Sequence, residues 1–245
     1  MKKIYFATGS LILLVLSAFS VPAQTQSRDD VIKELETKRA ELAALEQKIL
    51  AVADTDRSEF AAFLSQPQTG IFRLLPREVY MGNTKRGLAH PGGGALYSFV
   101  HATHEPNPVG YDIQFEQGVL SVGFAGADYG MILNLGDTPL DQIVSEHATV
   151  RALLDYTPAV AEADARAAHM TLWQGMNLSD VVFKSRLPAK VSNTYLLRSI
   201  LYNDSDIAVA FRITRKDTDG SLIIIYKVLK KFPVPKLERK QTATQ

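Results

Sequence analysis

Metal-binding residue types are concentrated in one place in the 245-residue sequence, at His101-Ala102-Thr103-His104-Glu105. Imidazole nitrogens and carboxylate oxygens are common ligands of zinc and other transition metals. His90 or His147 would complete a set of ligands. A metal bound by His101, His104 and Glu105 could assist hydrolysis.

Strand geometry weighs against this metal site. If the strand that begins at Ala95 continues through His104, residues 101 and 104 lie an odd number of positions apart and point to opposite faces. Only a turn, which Pro106 and Pro108 permit, would bring the two rings together. The segment also lacks the H-E-x-x-H spacing that places two histidines one helical turn apart.

A pair of carboxylates is the next candidate, because glycosidases cleave with two of them. Asp112 and Glu116 share one face of a predicted strand. Four residues at the rise of a strand separate their backbones by about 13 Å, more than the roughly 5–9.5 Å between the carboxyl groups of glycosidases. The spacing therefore predicts a solvated stripe instead of a catalytic pair.

Other catalytic motifs are missing from the sequence. There is no cysteine, no G-x-S-x-G elbow and no S-x-x-K. Gly92-Gly93-Gly94 precedes a strand and no Lys-Ser/Thr follows it, which is typical of a turn and not of a phosphate-binding loop. The aromatic residues of the middle segment, and Trp173, are interpreted as core residues more readily than as a ligand pocket. That aromatic set comprises Tyr97, Phe99, Tyr111, Phe115, Phe124 and Tyr129. No cofactor is predicted.

The N-terminus predicts export. Lys2 and Lys3 precede an apolar run centred on residues 11–16, and Val21-Pro22-Ala23 resembles a cleavage site, so residues 1–23 are predicted to be a signal peptide. An uncleaved anchor remains the alternative, because the apolar stretch approaches the length that spans a bilayer. After cleavage we expect a periplasmic or secreted protein with no membrane span and no nucleic-acid partner.

Residues 24–66 are predicted to be helical. Ser27 and Asp30 have the spacing of a capping box, and Pro67 ends a second, short helix that starts near Asp56. Helix formers dominate residues 31–53, where a heptad seam has one lysine, Lys38, among apolar side chains. The seam consists of Val31, Leu35, Lys38, Leu42, Leu45, Ile49 and Val52. This segment would bind a partner helix or a second copy of the chain, or it would fold back on its own domain.

The rest of the chain predicts an α+β fold. Residues 67–94 resemble a linker with one short strand, and the period of two that follows predicts a meander of four strands. Thr138-Pro139 predicts the start of a helix that runs to about Tyr156, followed by a second helix over 159–170. Strands are predicted at 180–184, 194–202, 207–216 and 221–231, with a type I′ turn at Asp219-Gly220 joining the last two.

The resulting architecture is a domain over residues 95–235, with about seven or eight mainly antiparallel strands and a central helical pair. Residues 236–245 are predicted to be a disordered basic tail. An amphipathic helix precedes this domain, and no recognised catalytic motif is found in any of these segments.

Charge is strongly segregated although the whole chain is nearly neutral. Residues 100–183 carry 11 acidic and 2 basic side chains, whereas residues 184–245 carry 13 basic and 5 acidic ones. The two halves would attract each other or present solvated faces, or the basic half would bind an anionic envelope polymer or lipid head groups. The sequence therefore favours an exported, non-enzymatic binding or scaffolding protein of the cell envelope that associates through a coiled coil. An exported hydrolase that uses His101, His104 and Glu105 is the alternative.

Overall fold

A computed structural model describes residues 27–104, 110–124 and 126–238 of the chain. The predicted signal peptide, Glu105 and the end of the predicted tail lie outside these residues. The chain divides into two units, residues 1–40 and residues 41–245. In the first unit the described residues belong to the N-terminal part of helix α1. None of the described helices is long and apolar enough to cross a bilayer.

Six α-helices and eleven β-strands are present in the described residues. The helices are α1 Arg28–Leu50, α2 Asp54–Glu59, α3 Ala61–Leu64, α4 Arg77–Tyr80, α5 Ala148–Asp155 and α6 Glu162–Gln174. The strands are β1 Thr69–Leu74, β2 Leu96–Tyr97, β3 Ile113–Glu116, β4 Val119–Ser121, β5 Asp128–Asn134, β6 Met176–Leu178, β7 Val181–Phe183, β8 Arg186–Pro188, β9 Thr194–Leu201, β10 Ser205–Lys216 and β11 Leu222–Lys231.

A five-stranded antiparallel sheet is the centre of the second unit. Its strand order is β1-β11-β10-β9-β5, and a four-stranded sheet with the order β2-β3-β4-β8 packs on one of its faces. The other face packs against α5, α6 and the small hairpin β6–β7. Because both faces are covered, the strands are apolar on both sides, and every residue of β9 is buried.

The predicted α+β class is confirmed, but the number of strands is larger than expected. Strands β6 and β8 were not predicted, because each is only three residues long, too short for an alternating pattern to be recognised. The four strands predicted between Ala95 and Leu135 are present. Only β2, β3 and β4 form a meander, because β5 leaves it and pairs with β9 in the five-stranded sheet.

The helix predicted from Thr138 to Tyr156 is wrong in its first half. Only one 3-10 turn forms, at Leu140–Gln142, and α5 begins at Ala148 with the ring of His147 as its N-cap. Leu140 and Ile143 are both buried against the sheet. Burial of these two side chains outweighs the local preference of the Thr-Pro start for a helix.

The segment predicted as a linker, residues 67–94, contributes an edge strand to the large sheet. Its short strand is β1, which pairs with β11 so that Ile71 lies opposite Ile225. Gly92-Gly93-Gly94 forms a turn, as predicted, with positive φ at all three residues. At the other end of the chain, Glu238 exchanges backbone hydrogen bonds with Val160 and Glu162, so the described start of the predicted tail pairs with the domain.

Candidate functional site

The predicted histidine group lies in a turn, not on a strand. Strand β2 ends at Tyr97, and Ser98 and Thr103 then exchange backbone hydrogen bonds of 2.9 and 3.2 Å. His101 is exposed at this turn. The chain reverses between residues 101 and 104, so the turn that the sequence left open is present and no single strand carries both histidines.

His104 is largely buried under the turn and is held there by the backbone. Its Nδ1 donates to the carbonyl of Leu96 at 2.8 Å, and its ring centroid lies 5.1 Å from that of Tyr97. Burial lowers the pKa of His104 to about 4, so the ring is neutral at physiological pH. His90 Nε2 donates to the carbonyl of His104 at 2.9 Å. His104 thus packs in the aromatic part of the core.

The remaining histidine considered as a ligand has a different position. The ring of His147 accepts a hydrogen bond from the amide of Thr149 at the start of α5. No three His, Cys, Asp or Glu side chains within residues 27–104, 110–124 and 126–238 form a group that could hold a metal ion. Glu105 is outside these ranges, so the site of His101, His104 and Glu105 stays a prediction.

Asp112 is buried, and the prediction that it belongs to a solvated stripe is wrong. Only 1% of its surface is exposed, and its Oδ2 accepts from the amides of Phe99 at 2.6 Å and Val100 at 3.3 Å. The Ser98 hydroxyl is a third donor, at 3.3 Å. Glu116 at the other end of the strand remains partly exposed. The donors to Asp112 come from the turn after β2, which the sequence pattern did not predict.

Asp128 is a second buried carboxyl group, coupled electrostatically to Asp112. It is 6% exposed, and its Oδ1 has no hydrogen-bond partner in the described part of the chain. Burial, and then the charge of Asp112, raise the pKa of Asp128 to about 8. Burial also raises the pKa of Asp112, and the hydrogen bonds from Ser98, Phe99 and Val100 oppose that shift because they favour the charged form. Neither group lines the surface cavities described below, and the pair is interpreted as part of the core.

Four cavities of about 330 to 480 Å³ lie on the helical side of the large sheet and at its ends. The largest of these four lies between α2–α3 and the 3-10 turn and is lined by Phe60, Phe63 and Leu140. Arg212 also lines it, but Arg212 is already bonded to Asp137 at 2.5 Å. The cavity is therefore an open amphipathic groove, and the charge of Arg212 is already paired with that of Asp137.

The aromatic set mostly forms core, as the sequence indicated. Tyr97, Phe99 and Phe115 are buried between the two larger sheets. Trp173 is different: 53% of its surface is exposed on α6, so its interpretation as a core residue is wrong.

Helix α1 carries a series of exposed large apolar side chains. Ser27 caps it, with its hydroxyl 3.1 Å from the amide of Asp30, as the sequence predicts. The apolar seam residues within the helix are 37–56% exposed. They are Val31, Leu35, Leu42, Leu45 and Ile49.

Within the second unit, the C-terminal end of α1 is attached to residues 75–90 through Glu46 and Leu50, which lie next to the seam. The Glu46 carboxylate accepts from the amides of Ala89 at 2.5 Å and His90 at 3.1 Å. Leu50 packs in a small cluster with Leu75 and Leu88. Glu46 and Leu50 are the two buried residues of the helix. Intrachain packing therefore leaves Leu42, Leu45 and Ile49 exposed.

Comparison with known proteins gives no assignment. No family model, curated protein or solved structure matches this chain. The candidates are thus distinguished by geometry alone. His104 and the two carboxyl groups are held in the core, and a turn separates His101 from His104. The seam of α1, in contrast, is an accessible surface with a regular helical spacing.

Proposed function

We propose that this protein is an exported, non-enzymatic binding or scaffolding protein of the cell envelope, and that it associates with a second copy of itself through α1. The observation that carries this proposal is the exposed heptad seam. A seam of this kind loses its water-exposed apolar surface when a second helix packs its own seam against it. Each helix offers about three heptads, which is marginal for isolated helices and is compensated by the attachment of the C-terminal end of α1.

One pair of charges beside the seam favours a second copy as the partner. Glu34 occupies a g position and Arg39 the e position five residues later, the spacing at which unlike charges meet across a parallel pair of helices. The contact occurs twice in a symmetric dimer. Lys38 is the single charged residue at the seam positions of the helix, and such a residue lowers stability while it fixes the register.

Introducing negative charges into the seam tests the proposal. Leu35→Glu combined with Leu42→Glu would place like charges against each other in the dimer, and we expect a loss of self-association of at least about 100-fold. The measurement is sedimentation equilibrium of the exported chain, with its N-terminus determined by mass spectrometry, up to tens of micromolar.

The matched control introduces the same charges on the opposite face. Ala40→Glu with Gln47→Glu changes two exposed f positions of the same helix and should leave the dimer intact. A wild-type chain that remains monomeric at tens of micromolar, or a seam variant that dimerises as well as the control, would contradict self-association through α1.

Replacement of the seam lysine, Lys38, is expected to strengthen self-association instead of weakening it. Lys38→Leu removes two charges from the dimer seam and should tighten association by about tenfold or more, at the expense of a unique register. The same sedimentation series measures it, and Lys33→Leu at an exposed f position is the control. A Lys38→Leu chain with weaker association than wild type would show that residue 38 does not lie in the interface.

Export is tested independently of association. A chain produced in cells with an envelope should be recovered from the periplasm or medium, with the new N-terminus near Gln24. Recovery of the uncleaved chain in the membrane fraction would instead support the anchored alternative.

A further inference from the structure

The C-terminal half of α6 exposes large apolar side chains with no charge among them. Met170 is 59% and Trp173 53% exposed, whereas Ala165 and Leu172 form the buried side of this helix. The segment 167–175 contains no acidic or basic side chain other than His169. Trp173 is the only tryptophan of the chain. A large aromatic residue in such a place is typical of an interaction surface.

Two basic residues lie next to this apolar surface. The amide of Ser185 donates to the carbonyl of Leu172 at 3.0 Å, which places Lys184 and Arg186 beside the end of α6. The guanidinium of Arg186 lies 4.9 Å from the centre of the Trp173 ring.

Val182 completes the apolar surface. It is 45% exposed, and its Cγ1 lies 2.8 Å from the position that a Cβ on Gly175 would occupy. We name the combined surface the α6 patch. It consists of Met170, Trp173, Val182, Lys184 and Arg186.

The charge of the α6 patch is not compensated locally. Neither Lys184 nor Arg186 forms an ion pair with a carboxylate of the described residues. The acidic residues of α6, Glu162 and Asp164, are in its first turn. At 1.5 Å per residue, Asp164 lies about 14 Å along the helix axis from Trp173. The patch therefore combines exposed apolar side chains with two available positive charges.

We infer that the α6 patch docks on the surface of a bilayer that contains anionic phospholipid. Trp173 and Met170 would enter the interfacial region, where tryptophan is favoured because its ring is apolar and its N–H is polar. Lys184 and Arg186 would contact lipid phosphate groups, to which a surface-bound basic residue is attracted. The charge complementarity favours this occupant over an uncharged apolar partner.

The single tryptophan makes the inference directly measurable. The exported chain is titrated with vesicles of phosphatidylglycerol and phosphatidylcholine, and with vesicles of phosphatidylcholine alone, while Trp173 emission is recorded. We expect a shift to shorter wavelength with the anionic vesicles only, reversed by added salt. Lys184→Gln with Arg186→Gln should weaken partitioning about 25-fold, since each basic residue contributes about fivefold near an anionic surface.

Matched variants separate the α6 patch from other surfaces. Met170→Glu should abolish the emission shift, whereas Val144→Ser and Lys216→Gln, which change an exposed valine and an exposed lysine elsewhere, should not. Co-sedimentation with vesicles without a change in Trp173 emission would assign binding to another surface and overturn the inference. Equal partitioning to both vesicle types, absence of partitioning, or insensitivity to Met170→Glu would overturn it as well. Self-association through α1 is measured without lipid and is decided separately.

Discussion

Replacing Arg198 with methionine is expected to lower the free energy of unfolding by about 3–5 kcal/mol, the range found when one partner of a buried ion pair is removed. Arg198 and Asp206 are both buried and form two parallel hydrogen bonds of 2.8 and 2.9 Å. The variant would leave the Asp206 carboxylate buried without its cation. Urea denaturation of the purified chain at neutral pH measures the change.

The position of Arg198 explains why the loss should be large. Its Nη1 donates to the carbonyls of Leu153 at 3.0 Å and Tyr156 at 2.5 Å, at the C-terminal end of α5, where backbone carbonyls have no partner within the helix. Its guanidinium also lies 3.7 Å from the centre of the Phe232 ring. One side chain thus joins the large sheet, the end of α5 and the segment after β11.

Two comparison variants make the expected loss specific. Arg212→Met removes the cation of an ion pair with Asp137, whose side chain is 75% exposed, and should lower the free energy of unfolding by less than about 1 kcal/mol. Arg198→Met with Asp206→Leu removes both buried charges and should recover the part of the loss that is due to the unpaired Asp206 carboxylate, but not the part due to the lost bonds to the α5 carbonyls. If Arg198→Met were no more destabilising than Arg212→Met, the buried pair would not have the stabilising role assigned to it.

The long strands could be predicted because their residues are apolar over a sufficient length. Strand β9 was predicted at 194–202 and lies at Thr194–Leu201, and β11 was predicted at 221–231 and lies at Leu222–Lys231. The hairpin at Asp219-Gly220 is confirmed, but its turn type is wrong. Asp217 and Ser221 close a three-residue loop in which only Gly220 has positive φ. The Tyr80 hydroxyl donates to Asp219 at 2.6 Å, a tertiary contact that no local pattern contains.

The burial of polar residues could not be predicted, because it depends on tertiary contacts that no local pattern contains. Asp112 occupies a position where alternation alone indicates solvent, and its burial depends on amides of the turn after β2. Arg198 was counted with a basic half of the chain, although it is 1% exposed. The seam of α1 could be predicted as far as Ile49, because heptad spacing is a property of one helix, but the helix ends at Leu50 and Val52 is buried in the core instead of continuing the seam. The exposure of the seam could not, because exposure depends on which face of the helix the domain covers.

Replacing Asp128 with asparagine is expected to stabilise the protein increasingly as the pH rises from about 4 to 8. In the folded chain burial, and then the charge of Asp112, raise the pKa of Asp128 to about 8 from its ordinary value of 3.8. Between these two values the unfolded chain has released this proton and the folded chain retains it, so the free energy of unfolding falls with rising pH. The slope from one such group reaches about 1.4 kcal/mol per pH unit. Asparagine does not titrate, and it keeps the size of the side chain.

The difference between wild type and Asp128→Asn isolates this group from others that titrate in the same range. His104, with its pKa lowered by burial, acts in the opposite direction, because its contribution to stability is present above pH 6.5 and is lost as the pH falls toward about 4. Both chains contain His104, so its effect cancels in the difference.

Urea denaturation at intervals between about pH 5 and 9 measures that difference, and Asp141→Asn, at an exposed position, is the control. The difference should widen up to about pH 8 and then level off, because above that value the folded chain has also released the proton. A difference that does not change across this range would show that Asp128 is already ionised in the folded protein at pH 5, and that burial does not raise its pKa as stated.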